Sequence, residues 1–397
     1  MKKLLLLFLS LAFVCSVMTL PARAQATGDS DRATILVDDD KVQCPNAAFT
    51  SIQAAVNAAN PGDTIRVCAG TYVEQLTIDK PLSIRGDNGA IVKPSGVSMS
   101  ATNSSGDSVA AIIFVKDADS VNIRNLIVDG TDSGITGCGP ALLGIFYQNS
   151  SGQIAHNAVK HMRLVGANLA GCQSGNAIFV ETTGGGTSKV EINANSVNDY
   201  QKNGITANNS GTDASVDGNA VTGIGPTTGA AQNGVQIGFG AAGTVRNNAI
   251  ADNIFSTCSS PDDCPTNAAG VLVFESDSVT VENNTIGTNQ IGVFIGGDHS
   301  LVRGNTVFNS EVLIGIALVG DQNRVNANQI THSDQAAVFV EGNNNRIDNN
   351  EITDAAIGIL KIAGSTGTQR SGNTFFDTPI PVEDPAPGRK MGVQPAR

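Results

Sequence analysis

The chain has 397 residues, a formal charge of −12 and no tryptophan. This acidity opposes direct binding of nucleic acid or an anionic membrane surface, and disfavours polyanions such as pectate unless a cation bridges the charges. Apart from its first residues, no stretch is apolar for long enough to cross a bilayer, so a membrane-spanning role is not expected.

Lys2 and Lys3, the apolar run from Leu4 to Val17, Pro21 and the small residues Ala22 and Ala24 read as a secretory signal cut after about Ala24. The expected organisation is a signal peptide over 1–24, a short linker over 25–32, one domain over 33–377 and a flexible Pro-rich tail over 378–397. The protein is therefore expected to be secreted or periplasmic. Cys15 leaves with the signal, and the six cysteines that remain suit an oxidising compartment. Proximity along the chain pairs Cys44 with Cys68, Cys138 with Cys172 and Cys258 with Cys264. No Cys/His spacing suggests zinc, and no metal site is expected.

The segment Thr50–Asn60 has the marks of a short helix over about 50–60. Thr50 or Ser51 can cap it, Ile52, Ala55, Val56 and Ala59 form one apolar face, and Pro61-Gly62 stops it. From residue 125 onward a phrase recurs: β-branched residues, Asn, a small residue, Val or Ile, then Asp, Asn or His four places after the Asn. It begins at Asn125, Asn157, Asn195, Asn219 and Asn248, and continues at Asn284, Asn305, Asn328, Asn350 and Asn373. The short spacings give a unit of about 22 residues, the length of a solenoid coil with short strands and tight turns. Asn suits such a turn because it tolerates left-handed backbone, and stacked amides can bond in a ladder.

A second column follows each turn: a short strand with Gly or Ala second and Val or Ile third. Alternation places Val293, Ile295, Ile316, Leu318, Val338 and Val340 inward. The expected fold is all-β: a single-stranded right-handed parallel β-helix, a solenoid, with an N-terminal capping α-helix. Ten to twelve coils would make a rod of roughly 50–60 Å. Phe375 and Phe376 are expected to close the far end.

Longer spacings place insertion loops at about 130–142, 162–175, 224–232 and 253–268, each before the Gly-containing strand. They would flank one outer face, where Phe146, Gln148, Phe179, Glu181, Asn208 and Gln236 point outward. A one-residue register error would turn this set inward. Lys160, His161 and Arg163 start a neighbouring loop. Amides, a carboxylate and aromatic faces suit a sugar. Turn hydrogen bonding explains His161 and His332 equally well, Phe146 and Phe179 can simply pack under the insertions, and Glu181 can be a solvated edge residue.

Pro61-Gly62-Asp63-Thr64-Ile65, Gly70-Thr71-Tyr72-Val73-Glu74 and Ile78-Asp79-Lys80-Pro81-Leu82, followed by the Asn-turn coils, resemble the pectin-lyase-like superfamily over residues 33–377. The resemblance implies a parallel β-helix and leaves the chemistry open, because one fold hosts many activities. The Gln-Asp, Asp-Phe-x-Phe-Gly and Arg-Pro-Trp motifs of its methylesterases are absent. So are the Trp-Ile-Asp-His and Arg-x-Pro-x-x-Arg segments of its pectate lyases. Asp262-Asp263 alone echoes the polygalacturonases, and Asp298-His299 does not replace the epimerases' Asp-Pro-His-Asp. Copper-maturation β-helix proteins share the fold, but 4 His and 5 Met argue against copper. Glu74 is given no catalytic role, and Arg85-Gly86-Asp87, an adhesion-like tripeptide, reads as an ordinary turn.

The leading expectation is an exported β-helix that binds a polysaccharide or a cell-envelope component on the insertion-flanked face, without a cofactor. The alternative is a polysaccharide-active enzyme, most plausibly a lyase. Its candidates are Glu181, Lys160, His161 and Arg163, with calcium or Arg163 neutralising a uronate. A structural envelope component is the third reading.

Overall fold

A computed structural model describes residues 32–256 and 267–386. The chain winds as a right-handed parallel β-helix whose coils stack three parallel sheets. One sheet runs from Thr34–Val37 to Gln369–Ser371 and has 13 strands, more than the ten to twelve coils expected. The first coils precede the repeating Asn phrase, so the repeat did not count them. The other two sheets merge through Thr285–Ile295 and Thr306–Leu318, which bend from one face into the next.

The expected inward set is buried: Val293, Ile295, Ile316, Leu318, Val338 and Val340 are all 0% exposed within one continuous core. They stack in register, Val293 on Ile316 on Val338. The Gly column has a steric cause. A Cβ on Gly234 would lie 2.5 Å from Ile250 and 2.6 Å from the Gly270 carbonyl of the next coil.

The Asn ladder forms, with one correction at its start. From Asn157 to Asn373, each Asn donates its Nδ2 to the Oδ1 of the next at 2.9–3.1 Å. Asn125 is not a rung; it has φ 58, and buried Leu126 occupies the rung position, donating its N–H to Asn157 Oδ1. The left-handed conformation therefore does not belong to the ladder Asn. It falls on the residue before (His156, Ala194, Asn247) and on the one four places after (His161, Asp199, Asp252).

The cap helix spans Ile52–Ala58, narrower than expected, with Ser51 as N-cap and Ile52, Ala55 and Val56 buried. Glu74 completes the cap from a neighbouring strand end. Its carboxylate accepts from Ile52 N, Gln53 N and Ser51 Oγ at 2.8–2.9 Å, satisfying helix-end donors.

The far end and the insertions depart from expectation. Phe375 packs against the core, but Phe376 is 54% exposed, and Ile380–Ala386 forms a further strand on Ile357–Ile362. The chain is thus not a tail at 380–386; Pro381 is tolerated there because this strand is the outermost among the described residues. The loops occupy 130–140, 163–175 and 228–232, because Ala220–Thr227 and Ala249–Phe255 are longer strands than the repeat suggested. The fourth loop falls largely outside the described residues. An unexpected insertion at 93–107 leads into the antiparallel pairing of Ala101–Thr102 with Ser108–Lys116.

Cys44–Cys68 and Cys138–Cys172 are disulfides, as expected. Cys258 and Cys264, the signal segment and most of the linker lie outside the described residues. No helix among the described residues is long and apolar enough to cross a membrane.

Candidate functional site

The outer face of the sheet containing Ala141–Gln148, Asn176–Glu181, Asn203–Asn208, Asn233–Gly238 and Ala269–Phe274 carries a groove of ≈ 1260 Å³. That exceeds the ~300–1,000 Å³ usual for a small-molecule pocket and suits an extended ligand. Along one side lie Cys138-Gly139-Pro140 and Gly171-Cys172-Gln173, tied by the Cys138–Cys172 bridge. Phe239 and Glu275 form the opposite side, and the 93–107 insertion stands across one end.

The register is as expected, so all six outward candidates lie on this face, but they divide into three roles. Phe146 is fully buried, stacked between Phe114 at 5.2 Å and Phe179 at 5.4 Å. It packs beneath the insertions rather than facing a ligand. Phe179, 8% exposed, is the ring of this stack that lines the groove. Asn208 and Gln236 belong to an amide network on the floor. Asn233 Nδ2 donates to Asn203 Oδ1, Asn203 Nδ2 to Gln236 Oε1, and Gln236 Nε2 to Asn208 Oδ1, each at 3.0 Å. The network holds the amides in fixed orientations; Asn203 Nδ2 spends its second hydrogen on Thr206 Oγ1 at 3.1 Å, while Gln236 Nε2 keeps a second hydrogen beyond its bond to Asn208.

Glu181 and Gln148 serve the insertion. Gln148 Nε2 donates to Glu181 Oε1 at 2.9 Å and to Thr102 O at 2.9 Å, while Ser104 N donates to Glu181 Oε2 at 3.2 Å. Glu181 is 1% exposed, and burial outweighs these bonds to push its carboxyl above the usual range. It is neither a solvated edge residue nor part of the groove lining.

Lys160, His161 and Arg163 do not line the groove either. They join Asp129 and Asp199 in a charge cluster on the turn beside it. His161 Nδ1 lies 2.8 Å from Asp129 Oδ1, and its Nε2 lies 3.6 Å from Asp199 Oδ2. Arg163 Nε pairs with Asp199 at 3.1 Å, and Lys160 Nζ with Asp129 at 3.7 Å. Burial acts to raise the Asp129 pKa, but bonds from Thr131 and His161 prevail and hold it at about 2. The turn reading of His161 fits this geometry, though Asp129 aligns with Lys160 and it is Asp199 that shares the His161 position. His332 bonds Asp354 in the same manner at 2.8 Å. Arg85-Gly86 lies in a strand, and Asp87 is held by Arg66 at 3.0 Å.

Sequence reasoning missed Lys202, Phe239, Glu275 and the 93–107 insertion. Lys202 lines the groove, is 5% exposed, and donates to Ala231 O at 3.2 Å; burial lowers its pKa to about 8. Phe239 (φ 57) and Glu275 (φ 51) hold left-handed backbone in a turn column that elsewhere uses Asn149 and Asn209. A bulky residue there is a steric outlier of the kind that gathers at binding sites. An aromatic residue replacing Asn in a turn column was the available signal, and Asn103-Ser104-Ser105-Gly106-Asp107 was a hairpin signal.

Residues 227–388 match a family described as a periplasmic copper-binding protein, NosD. No curated protein matches the chain. Among solved structures, the GH136 lacto-N-biosidase from Eubacterium ramulus is 13% identical, with a TM-score of 0.56 over 87% of this chain and 68% of that one. The mannuronan C-5 epimerase AlgE4 A-module from Azotobacter vinelandii is also 13% identical, with a TM-score of 0.51 over 87% and 95%. XylC in complex with xylose is 10% identical, with a TM-score of 0.54 over 85% and 86%. These likenesses establish the fold, a parallel β-helix.

The described residues do not fit copper. Side chains close enough to share an ion form two groups. In Cys44, Cys68 and Asp87 the thiols are spent in a disulfide; Asp38, Asp39 and Asp40 offer only oxygen. Copper prefers sulfur and imidazole donors. The matched span holds His299, His332, Cys258 and Cys264 and no methionine; the two cysteines lie outside the described residues, and His332 is engaged by Asp354.

Proposed function

We propose that the protein binds an uncharged carbohydrate chain in this groove without transforming it. The observation that carries the reading is the juxtaposition of an aromatic corner with an amide floor. Phe239, 36% exposed, meets Phe274 edge-on at 5.4 Å, and both line the groove above Asn203, Asn208 and Gln236. Sugar rings present C–H faces to aromatic rings and hydroxyls to planar amides, and this groove offers both. Asp107 and Glu275 in the lining oppose a polyanionic chain, as does the overall charge.

The placement of the acids favours binding over hydrolysis. Glycoside hydrolysis needs two carboxyl groups about 5–9.5 Å apart across the scissile bond. Here Asp107 belongs to the insertion at one end of the groove, Glu275 follows Ala269–Phe274 four coils along from Ala141–Gln148, and Glu181 is buried under the insertion. The periplasmic family match and the two disulfides support an exported location.

The test is a glycan array followed by calorimetry on the hits, comparing wild type with Phe239→Asn. Binding that falls at least about tenfold in the variant is the expected result. An array silent for neutral glycans, or full affinity in the variant, would sink the reading. A second reading, elimination from a uronate, draws on Lys202, whose lowered pKa of about 8 suits a base. It requires new ultraviolet absorbance from unsaturated ends on pectate or alginate, with calcium supplied.

A further inference from the structure

We infer that the groove receives the end of a carbohydrate chain and excludes the interior of a polymer; this rests on the glycan reading above. A ligand lying along the coils from Leu272 towards Leu143 runs into the insertion, whose Asn103, Ser105 and Asp107 line that end.

The barrier is a wall rather than a lid, because it is fastened to separate coils. Gln75 Nε2 donates to Ser98 O at 2.8 Å and Ser100 Oγ at 2.9 Å, and Gln75 Oε1 accepts from Ser98 N at 3.1 Å. Gln148, on a later coil, holds Thr102 O, and Glu181, one coil further, holds Ser104 N. Inside the loop, Asn103 Oδ1 accepts from Ser105 N at 3.1 Å and Asp107 N at 2.8 Å, which fixes the tip. A buried carboxylate stripped of its donor is costly, so releasing Ser104 from Glu181 is opposed.

On the coils that give Val109 and Leu143 to this end of the lining, the outer face is already covered: Phe114 and Phe146 stack at 5.2 Å and are 3% and 0% exposed. The blocked end also has the chemistry of a terminus. The Asp107 carboxylate, the Asn103 amide and the Ser105 hydroxyl can take adjacent hydroxyls of a terminal ring. An internal ring has one of those hydroxyls replaced by a linkage, and its next sugar would overlap the insertion.

Calorimetry on cello-, xylo-, manno- and chito-oligosaccharides would compare free chains with chains blocked by a bulky group at the reducing end, the non-reducing end, or both. Blocking one particular end should cost at least about tenfold in affinity, with the other end indifferent. Equal affinity for free and doubly blocked chains would overturn the inference and leave the glycan reading intact. If no free chain binds, the glycan reading falls and this inference with it. A variant with residues 103–107 replaced by Gly-Gly should accept the blocked chains; the wild-type comparison decides the question even if that variant fails to fold.

Discussion

Phe239 links local strain to function. Left-handed backbone costs a residue with a Cβ about 1–2 kcal/mol, and its edge contact with Phe274 returns about 0.5–1.5 kcal/mol. Phe239→Asn removes both, because Asn tolerates this conformation. Urea unfolding should therefore place the variant within about 1 kcal/mol of wild type, while the array and calorimetry report lost binding. Strong destabilisation would instead mark the ring as a packing residue.

Lys202 makes a pH prediction at the same scale. Burial lowers its pKa from 10.5 to about 8 in the folded chain, so the unfolded chain binds the proton more tightly between those values. Stability should then rise from pH 8 towards pH 10, by up to about 3 kcal/mol. Above about pH 10 the trend reverses, because burial raises Tyr72, Tyr147 and Tyr200 and their ionisation favours unfolding. Denaturant titrations across this range should show the rise in wild type and a flatter profile in Lys202→Met.

Among the elements, the Asn ladder holds the coils in register. Asn219 receives Asn195 N and Nδ2 and gives its own Nδ2 to Ile192 O and Asn248 Oδ1. Asn219→Ala would orphan several buried groups, at about 1–3 kcal/mol for each left unpaired, and should lower the urea midpoint markedly. The Cys138–Cys172 bridge spans 34 residues and ties two loops on the same side of the groove. Replacing both cysteines with serine should cost about 2–4 kcal/mol in urea unfolding and weaken glycan binding. Unchanged affinity would show that this side of the groove keeps its shape without the bridge.

For the whole molecule, stability follows from stacking. Each coil contacts mainly its neighbours, so opening should begin where a coil lacks one. The N-terminal end is covered by Ile52–Ala58, with Glu74 holding its first turn. At the other end, Gln369–Ser371 is wholly exposed and Thr374–Phe376 largely so. Hydrogen exchange should show the least protection at 369–386 and the most in the coils around the groove. Uniform protection along the coils would contradict this nearest-neighbour picture.

What could be read in the residues was what repeats. The Asn phrase, the Gly-containing strand and their spacing set the coil, the inward columns and the outer face on which Phe179, Asn208 and Gln236 lie. Each such position recurs in a similar environment, so period and polarity determine it. What tertiary structure alone decided depends on single, non-repeating contacts. The insertion at 93–107 precedes the repeat, so no register revealed it. Glu181 became its anchor only because Ser104 reaches across from an earlier coil. Asn125 and Leu126 exchanged roles at the first rung, and Lys160, His161 and Arg163 turned towards Asp129 and Asp199 and away from the groove. Long-range approach of side chains from loops of irregular length leaves no period in a sequence, and this approach shaped the site.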